Sequence, residues 1–222
     1  MPRTAEPRYT CVLWDLDGTI VDSAPGITAT LAWTFEKLGM PVPTPSEMLA
    51  WVGPPLESFL ELARLPEPEA WAALAVYRDR YRTVGVFDAA VYPGVGAFLH
   101  ELHAEGVPTS LATSKPESLA RAILEREGLI GEFDVITGAS EDERRSAKAD
   151  VVALAVSRLA DAGFDTSRPV LVGDRHHDVE GAAQHDVPTI FVTWGYGAPE
   201  EAAGTVAIAH DVAELRRELG LG

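Results

Sequence analysis

Two aspartates, Asp15 and Asp17, stand one residue apart where the apolar run Thr10-Cys11-Val12-Leu13-Trp14 ends. Side chains two apart on a strand point the same way, so two carboxylates meet at one spot. Asp is disfavoured in strands, and two of them here need a reason. Gly18 follows and permits a sharp turn with close backbone approach. A capped turn, a lone cation site and a reaction centre are the readings open to this stretch. Further along, Thr113-Ser114-Lys115-Pro116 closes a second apolar run, and a hydroxyl there, before a helix N-terminus, can donate to phosphate or cap the helix. Gly173-Asp174-Arg175-His176-His177-Asp178 closes another run with two more carboxylates. The chain has three lysines, Lys37, Lys115 and Lys148. An ammonium is a compact point charge suited to a phosphoryl group or a carboxylate; an isolated one is ordinarily surface solvation.

These groups need a scaffold. The runs Thr10–Trp14, Thr109–Thr113, Phe133–Thr137, Val170–Val172, Thr189–Thr193 and, more weakly, Thr205–Ala209 are short and nearly all apolar, as strands buried on both faces are. Helical spacing lies between them. Val95, Phe98, Leu99 and Leu102 follow i, i+3, i+4, i+7, as do Val152, Ala155, Val156 and Leu159. This alternation predicts an α/β fold with a Rossmann-like parallel sheet covered on both faces, where ligands bind at the carboxyl ends of the strands. Residues 22–88 break the rhythm. Stripes at Ile27, Leu31, Phe35 and Leu38, at Leu56, Phe59, Leu60 and Ala63, and at Trp71, Leu74 and Tyr81 predict a helical insertion, with hinges at Asp22–Gly26 and Gly85–Ala89. The expected division is a core of residues 1–21 and 89–222 and an inserted helical domain of residues 22–88.

Taken together, Asp15-Leu16-Asp17-Gly18-Thr19-Ile20-Val21-Asp22-Ser23, Thr113, Lys148 within Arg144–Val151, and Asp174-x-x-x-Asp178 resemble the four signatures of the haloacid dehalogenase superfamily, in order. Lys148 precedes Asp174 by 26 residues, a family-like interval. The helical insertion resembles in length the cap of the phosphoglycolate phosphatase-like branch. The resemblance implies a phosphatase acting on a small phosphorylated metabolite through an aspartyl-phosphate. Asp15 is then the nucleophile, and Asp17 the acid and base. Gly18, Thr113, Ser114 and Lys148 contact phosphate. The implied cofactor is magnesium, held by Asp15, the Asp17 backbone carbonyl and Asp174, with Asp178 acting through water or from outside the ligand sphere. Gly53 and Pro54, in a loop that resembles the family's substrate-facing loop, and Lys115 are candidates for substrate selection.

Other features carry less. His176 and His177 read as solvent-facing loop residues rather than a transition-metal pair or a general base. Arg78, Arg80 and Arg82 read as a solvated face, and Trp194-Gly195-Tyr196-Gly197 as packing near the site. The loop at Trp51–Leu56 reads equally as an interhelical turn. A sugar phosphomutase or a nucleoside monophosphate phosphatase fits the same scaffold. A dehalogenase would lack Asp17, and a phosphonatase would need a suitable lysine in the insertion, where only Lys37 lies. A receiver-type signalling domain would place its phosphoacceptor after a middle strand. A non-catalytic binding protein would not need all of these chemical positions.

Composition bounds the partners. With 34 acidic and 18 basic residues the net charge is -16, which repels nucleic acid and anionic lipid. The single cysteine, Cys11, allows no internal disulfide. The absence of a signal core or a long apolar run predicts a cytoplasmic protein without membrane partners, as a monomer or homodimer.

Overall fold

The structure is a computed structural model that describes residues 8–53, 66–141 and 145–221. In chain order its strands are β1 (Cys11–Trp14), β2 (Val21–Asp22), β3 (Ala90–Val91), β4 (Thr109–Pro116), β5 (Val135–Ala139), β6 (Pro169–Gly173), β7 (Thr189–Val192) and β8 (Ala207–Ala209). The helices of eight or more residues, with two shorter ones, are α1 (Ala24–Lys37), α2 (Pro45–Ala50), α3 (Glu67–Thr83), α4 (Val95–Ala104), α5 (Glu117–Arg126), α6 (Lys148–Asp161), α7 (His176–Ala183) and α8 (Val212–Glu218).

Six strands form one parallel sheet in the order β5-β4-β1-β6-β7-β8. The chain starts in the middle, builds outward through β4 and β5, then crosses back to β6. The order therefore reverses at β1, and the crevice beyond the carboxyl ends of β1, β4 and β6 is where such sheets bind ligands. The predicted parallel sheet is thus observed. Strand ends differ from the apolar runs by a few residues. β4 continues to Pro116, and β5 starts at Val135 rather than Phe133.

Strand β1 shows why these runs are so apolar. Side chains alternate between faces. Cys11 and Leu13 enter a cluster with Val151, Val152, Ala155 and Leu159 of α6. Val12 and Trp14 enter the larger cluster on the other face, with Phe98, Leu99 and Leu102 of α4. Burying each large side chain contributes roughly 1.5–3 kcal/mol, and a charge in either layer would be uncompensated.

The interval between β2 and β3 is helical where it is described. The two-residue strands β2 and β3 pair antiparallel at its base, a ribbon that the sequence pattern did not reveal because it is too short to show a period. Helix α2 begins with a capping box: the Glu47 amide donates to the Thr44 hydroxyl, and the Thr44 amide donates to the Glu47 carboxylate. On α3 the buried stripe is Ala70, Ala73, Leu74, Tyr77 and Tyr81, so Trp71, expected inside, is 46% exposed. Leu38 is likewise exposed just past the end of α1. The small alanines let α3 lie close, and Trp71 is one position out of phase. The stripe Leu56, Phe59, Leu60 and Ala63 lies outside the described residues.

No helix among the described residues is long and apolar enough to cross a membrane.

Candidate active site

Asp15 follows β1 directly, and its amide donates to the Val172 carbonyl of β6. Asp17 is two residues on, and Gly18 turns the chain with φ +87°. A Cβ on Gly18 would run into the Asp174 carboxylate, so the turn requires glycine. The carboxylates of Asp15, Asp174 and Asp178 converge, with one oxygen of each lying within 4.8 Å of the others. All three side chains are buried.

Lys148 is the first residue of α6, which packs across β4 and β5. Its Nζ lies 2.5 Å from Asp15 Oδ1, 2.6 Å from Asp178 Oδ1 and 2.9 Å from the Ala112 carbonyl. The ammonium is buried, not solvated. Asp178 also shapes the backbone. Its Oδ2 accepts from the Asp174 and Arg175 amides, fixing the turn into α7.

Electrostatics single out this cluster. Burial pushes the Asp15 carboxyl up to about 6, opposed by Lys148 and reinforced by the charges of Asp178 and Asp17. Asp174 is raised well above the usual range, by burial first and then by Asp178 and Asp15. Burial alone would lower Lys148, but the Asp15 and Asp178 charges outweigh it and hold the lysine firmly protonated. Asp174 differs from Asp15 and Asp178. Its partners are the Thr19 hydroxyl at 3.1 Å and the Tyr196 amide at 2.7 Å, and no cationic side chain among the described residues pairs with it. Buried carboxylates without a compensating cation are costly. A hard divalent cation bound by oxygens would supply the missing charge, so these residues fit one.

The remaining predicted residues fall around this centre. Thr113, at the end of β4's regular pairing, is buried, and its hydroxyl accepts the Lys115 amide at 3.3 Å. It does not cap the following helix, because β4 runs on to Pro116, which occupies the N-cap of α5. Ser114 and Lys115 line a cavity of about 70 Å³ together with Asp17, Gly53, Tyr77, Tyr81, Arg78 and Arg82. Gly53 has φ +100° and faces the Arg175 side chain. Arg175 in turn donates to the Val52 carbonyl at 2.5 Å, tying the Asp174 segment to the loop after α2. Pro54 and Arg144 lie outside the described residues.

Three expectations are corrected. His176 and His177 are not loop residues; they open α7, and His176 Nδ1 sits 2.7 Å from Glu201 Oε2. Arg78, Arg80 and Arg82 are not one solvated face. Arg78 and Arg82 line the cavity, whereas Arg80 lies over the Trp33 ring. The Trp194–Gly197 segment does more than pack. The Trp194 indole donates to the Thr19 carbonyl, and the Tyr196 hydroxyl donates to Asp22 while accepting the Ser23 and Ala24 amides. Tyr196 therefore links Asp174 to the start of the insertion. Ser23 also donates to Asp17 Oδ1 at 2.6 Å. Sequence reading missed Ser23, Thr19 and Tyr196 as site residues. The signal was their adjacency to the aspartate motif and to the end of β7.

The haloacid dehalogenase-like hydrolase family matches residues 12–192. Among curated proteins, the chain is 39% identical over 214 residues to tyrosine-protein kinase PtkA of Mycobacterium tuberculosis, covering 95% of this chain and 72% of that one. It is 33% identical over 221 residues to a 5'-nucleotidase of Pseudomonas aeruginosa, covering 98% of each. Among solved structures, a predicted phosphatase from Clostridium acetobutylicum superposes with a TM-score of 0.86 at 37% identity, covering 95% of this chain and 98% of that one.

Proposed function

This chain belongs to the haloacid dehalogenase-like hydrolases, and on that footing we propose that it is a magnesium-dependent phosphatase that hydrolyses a small phosphorylated metabolite through an aspartyl-phosphate, as a phosphoglycolate phosphatase does. The observation that carries this reading is the buried cluster of Asp15, Asp174 and Asp178 with Lys148 bridging two of them.

In this reading Asp15 attacks phosphorus, splitting one difficult hydrolysis into two easier steps. The Lys148 ammonium keeps Asp15 ionised and aimed. Asp17 gives a proton to the departing oxygen and later takes one from the attacking water. The Thr113 hydroxyl and the Ser114 backbone contact the phosphoryl oxygens in this reading. Asp15, the Asp17 carbonyl and Asp174 would hold magnesium, with Asp178 behind them. The ion, when bound, neutralises phosphate charge that the protein's lysine alone does not. Fixed charges in a buried site account for most of such catalysis. Residues 22–88 act as a cap that shuts water from the cavity, with residues 1–21 and 89–222 as the core.

The cavity's small volume and the presence of Arg78 and Arg82 on its wall favour a compact anionic leaving group. A nucleoside monophosphate is the second reading, favoured by the full-length likeness to a 5'-nucleotidase and by the stacked Tyr77 and Tyr81 rings at the cavity. A panel of phosphorylated metabolites, scored by kcat/KM with magnesium, separates the two. Phosphate release that is abolished in D15N supports the mechanism; undiminished release by D15N rejects it.

A further inference from the structure

We infer that Lys115 is a positioning residue for Asp17, and that Tyr81 on α3 holds Lys115 in place, so that docking of α3 completes the acid–base end of the site. This deepens the phosphatase reading and rests on it.

Lys115 belongs to none of the four motifs, yet it is buried, with 9% of its surface exposed. Its Nζ lies 3.1 Å from Asp17 Oδ2 and donates to the Tyr81 hydroxyl at 2.8 Å. The same ammonium stands 4.7 Å from the centre of the Tyr81 ring. Tyr81 is buried and stacks on Tyr77 at 5.5 Å, with the rings 11° from parallel. Both tyrosines lie on the inner face of α3, the helix that packs on α1.

A buried ammonium is costly unless it is paired and hydrogen-bonded. Here the pair is Asp17 and the hydrogen bond is Tyr81, so each of the three fixes the other two. The local backbone explains how Lys115 reaches the site. The pairing of β4 with β5 shifts register between Thr113 and Pro116. Strict alternation of side chains ends at such an irregularity, and Lys115 within it turns its ammonium to Asp17 and Tyr81. Asp17 is thereby held at both oxygens, Oδ1 by the Ser23 hydroxyl and Oδ2 by Lys115. A carboxylate that must deliver a proton to one oxygen atom has to be held in one rotamer. Tyr81 makes that hold depend on an element outside the sheet.

The test uses leaving groups. An alkoxide must be protonated as it departs, whereas p-nitrophenolate leaves as the anion. A misplaced Asp17 thus penalises alkyl phosphates selectively. kcat/KM is measured for p-nitrophenyl phosphate, for a neutral alkyl phosphomonoester and for an anionic one, with wild type, K115M, K115R and Y81F. The ratio of alkyl to aryl kcat/KM should fall by about ten-fold or more in K115M. It should fall by a smaller factor in Y81F and recover in part in K115R, equally for both alkyl substrates. Y81F keeps the ring and its stacking, so it carries the test if K115M fails to fold. Equal losses on aryl and alkyl substrates would mean a merely structural role and overturn the inference. A loss confined to the anionic alkyl substrate would make Lys115 a substrate contact and overturn it too. A wild type inactive on all three substrates would reject the phosphatase reading, and this inference with it. An active wild type with unchanged ratios in every variant rejects the inference alone.

Discussion

The Nζ of Lys148 lies 2.5 Å from Oδ1 of Asp15, a contact that spans 133 positions of sequence. The same ammonium reaches Asp178, so one lysine neutralises carboxylates from the end of β1 and the first turn of α7. Its removal leaves both uncompensated in a buried layer. K148M should therefore cost about 3–5 kcal/mol of stability, the usual penalty for breaking a buried pair, and at least ~100-fold in kcat. Urea unfolding and steady-state kinetics check the two numbers. A variant as stable as the wild type would show that Asp15 and Asp178 find compensation elsewhere.

Asp174 is the buried carboxylate that makes no ion pair with a lysine or arginine among the described residues, and the Arg175 charge only partly offsets its burial. A divalent cation that binds only the folded state at about 100 times its dissociation constant adds about 2.7 kcal/mol. For a chain of 222 residues that is a rise in Tm of about 5–10 °C. Magnesium should produce such a rise in the wild type and little in D174N, which keeps the shape of the side chain and loses its charge. Differential scanning calorimetry with and without magnesium measures both. An equal rise in the two proteins would move the cation away from Asp174.

Glu201 gives the clearest acid-side dependence. Burial raises its carboxyl, but hydrogen bonds from the His176 amide and ring, from Arg175 and from the Ala198 amide outweigh that and bring it down to about 2. A folded-state value below the ordinary 4.5 means that the stabilisation is fully present above 4.5 and is lost as pH falls through about 2. E201Q should thus be less stable than the wild type at neutral pH by about 1 kcal/mol, allowing for solvent screening. The gap should close on acidification across that window. A gap that stays constant between neutral pH and pH 2 would mean that the Glu201 charge is not what matters.

Much of this was legible in the sequence because buried strands and catalytic carboxylates leave strong local signals. The run Cys11–Trp14 declared a two-faced strand, and Asp15-x-Asp17-Gly18 declared a turn carrying chemistry. Lys148 was legible only through its place in a pattern, since a lone lysine on a helix has no local signature of burial. Partners contributed by distant segments were illegible. Nothing near Tyr81 tells of Lys115, and nothing near Tyr196 tells of Asp22 and Asp174, because such pairs are set by how the chain packs. Trp71 went wrong for a related reason. Its spacing with Leu74 and Tyr81 put it on the apolar stripe, but Ala70 and Ala73 are the residues buried there, and the helix turns the large ring outward.

The central claim is that Asp15 becomes phosphorylated during turnover. The most direct measurement is an acid quench of the working enzyme with a radiophosphate-labelled monoester and magnesium, followed by borohydride reduction and peptide mass spectrometry. Borohydride converts an aspartyl-phosphate to homoserine, so the site of phosphorylation is read from the sequence. The account predicts acid-stable, hydroxylamine-labile label on the protein and homoserine at position 15, both absent in D15N. Label at another residue, or undiminished label in D15N, would contradict it.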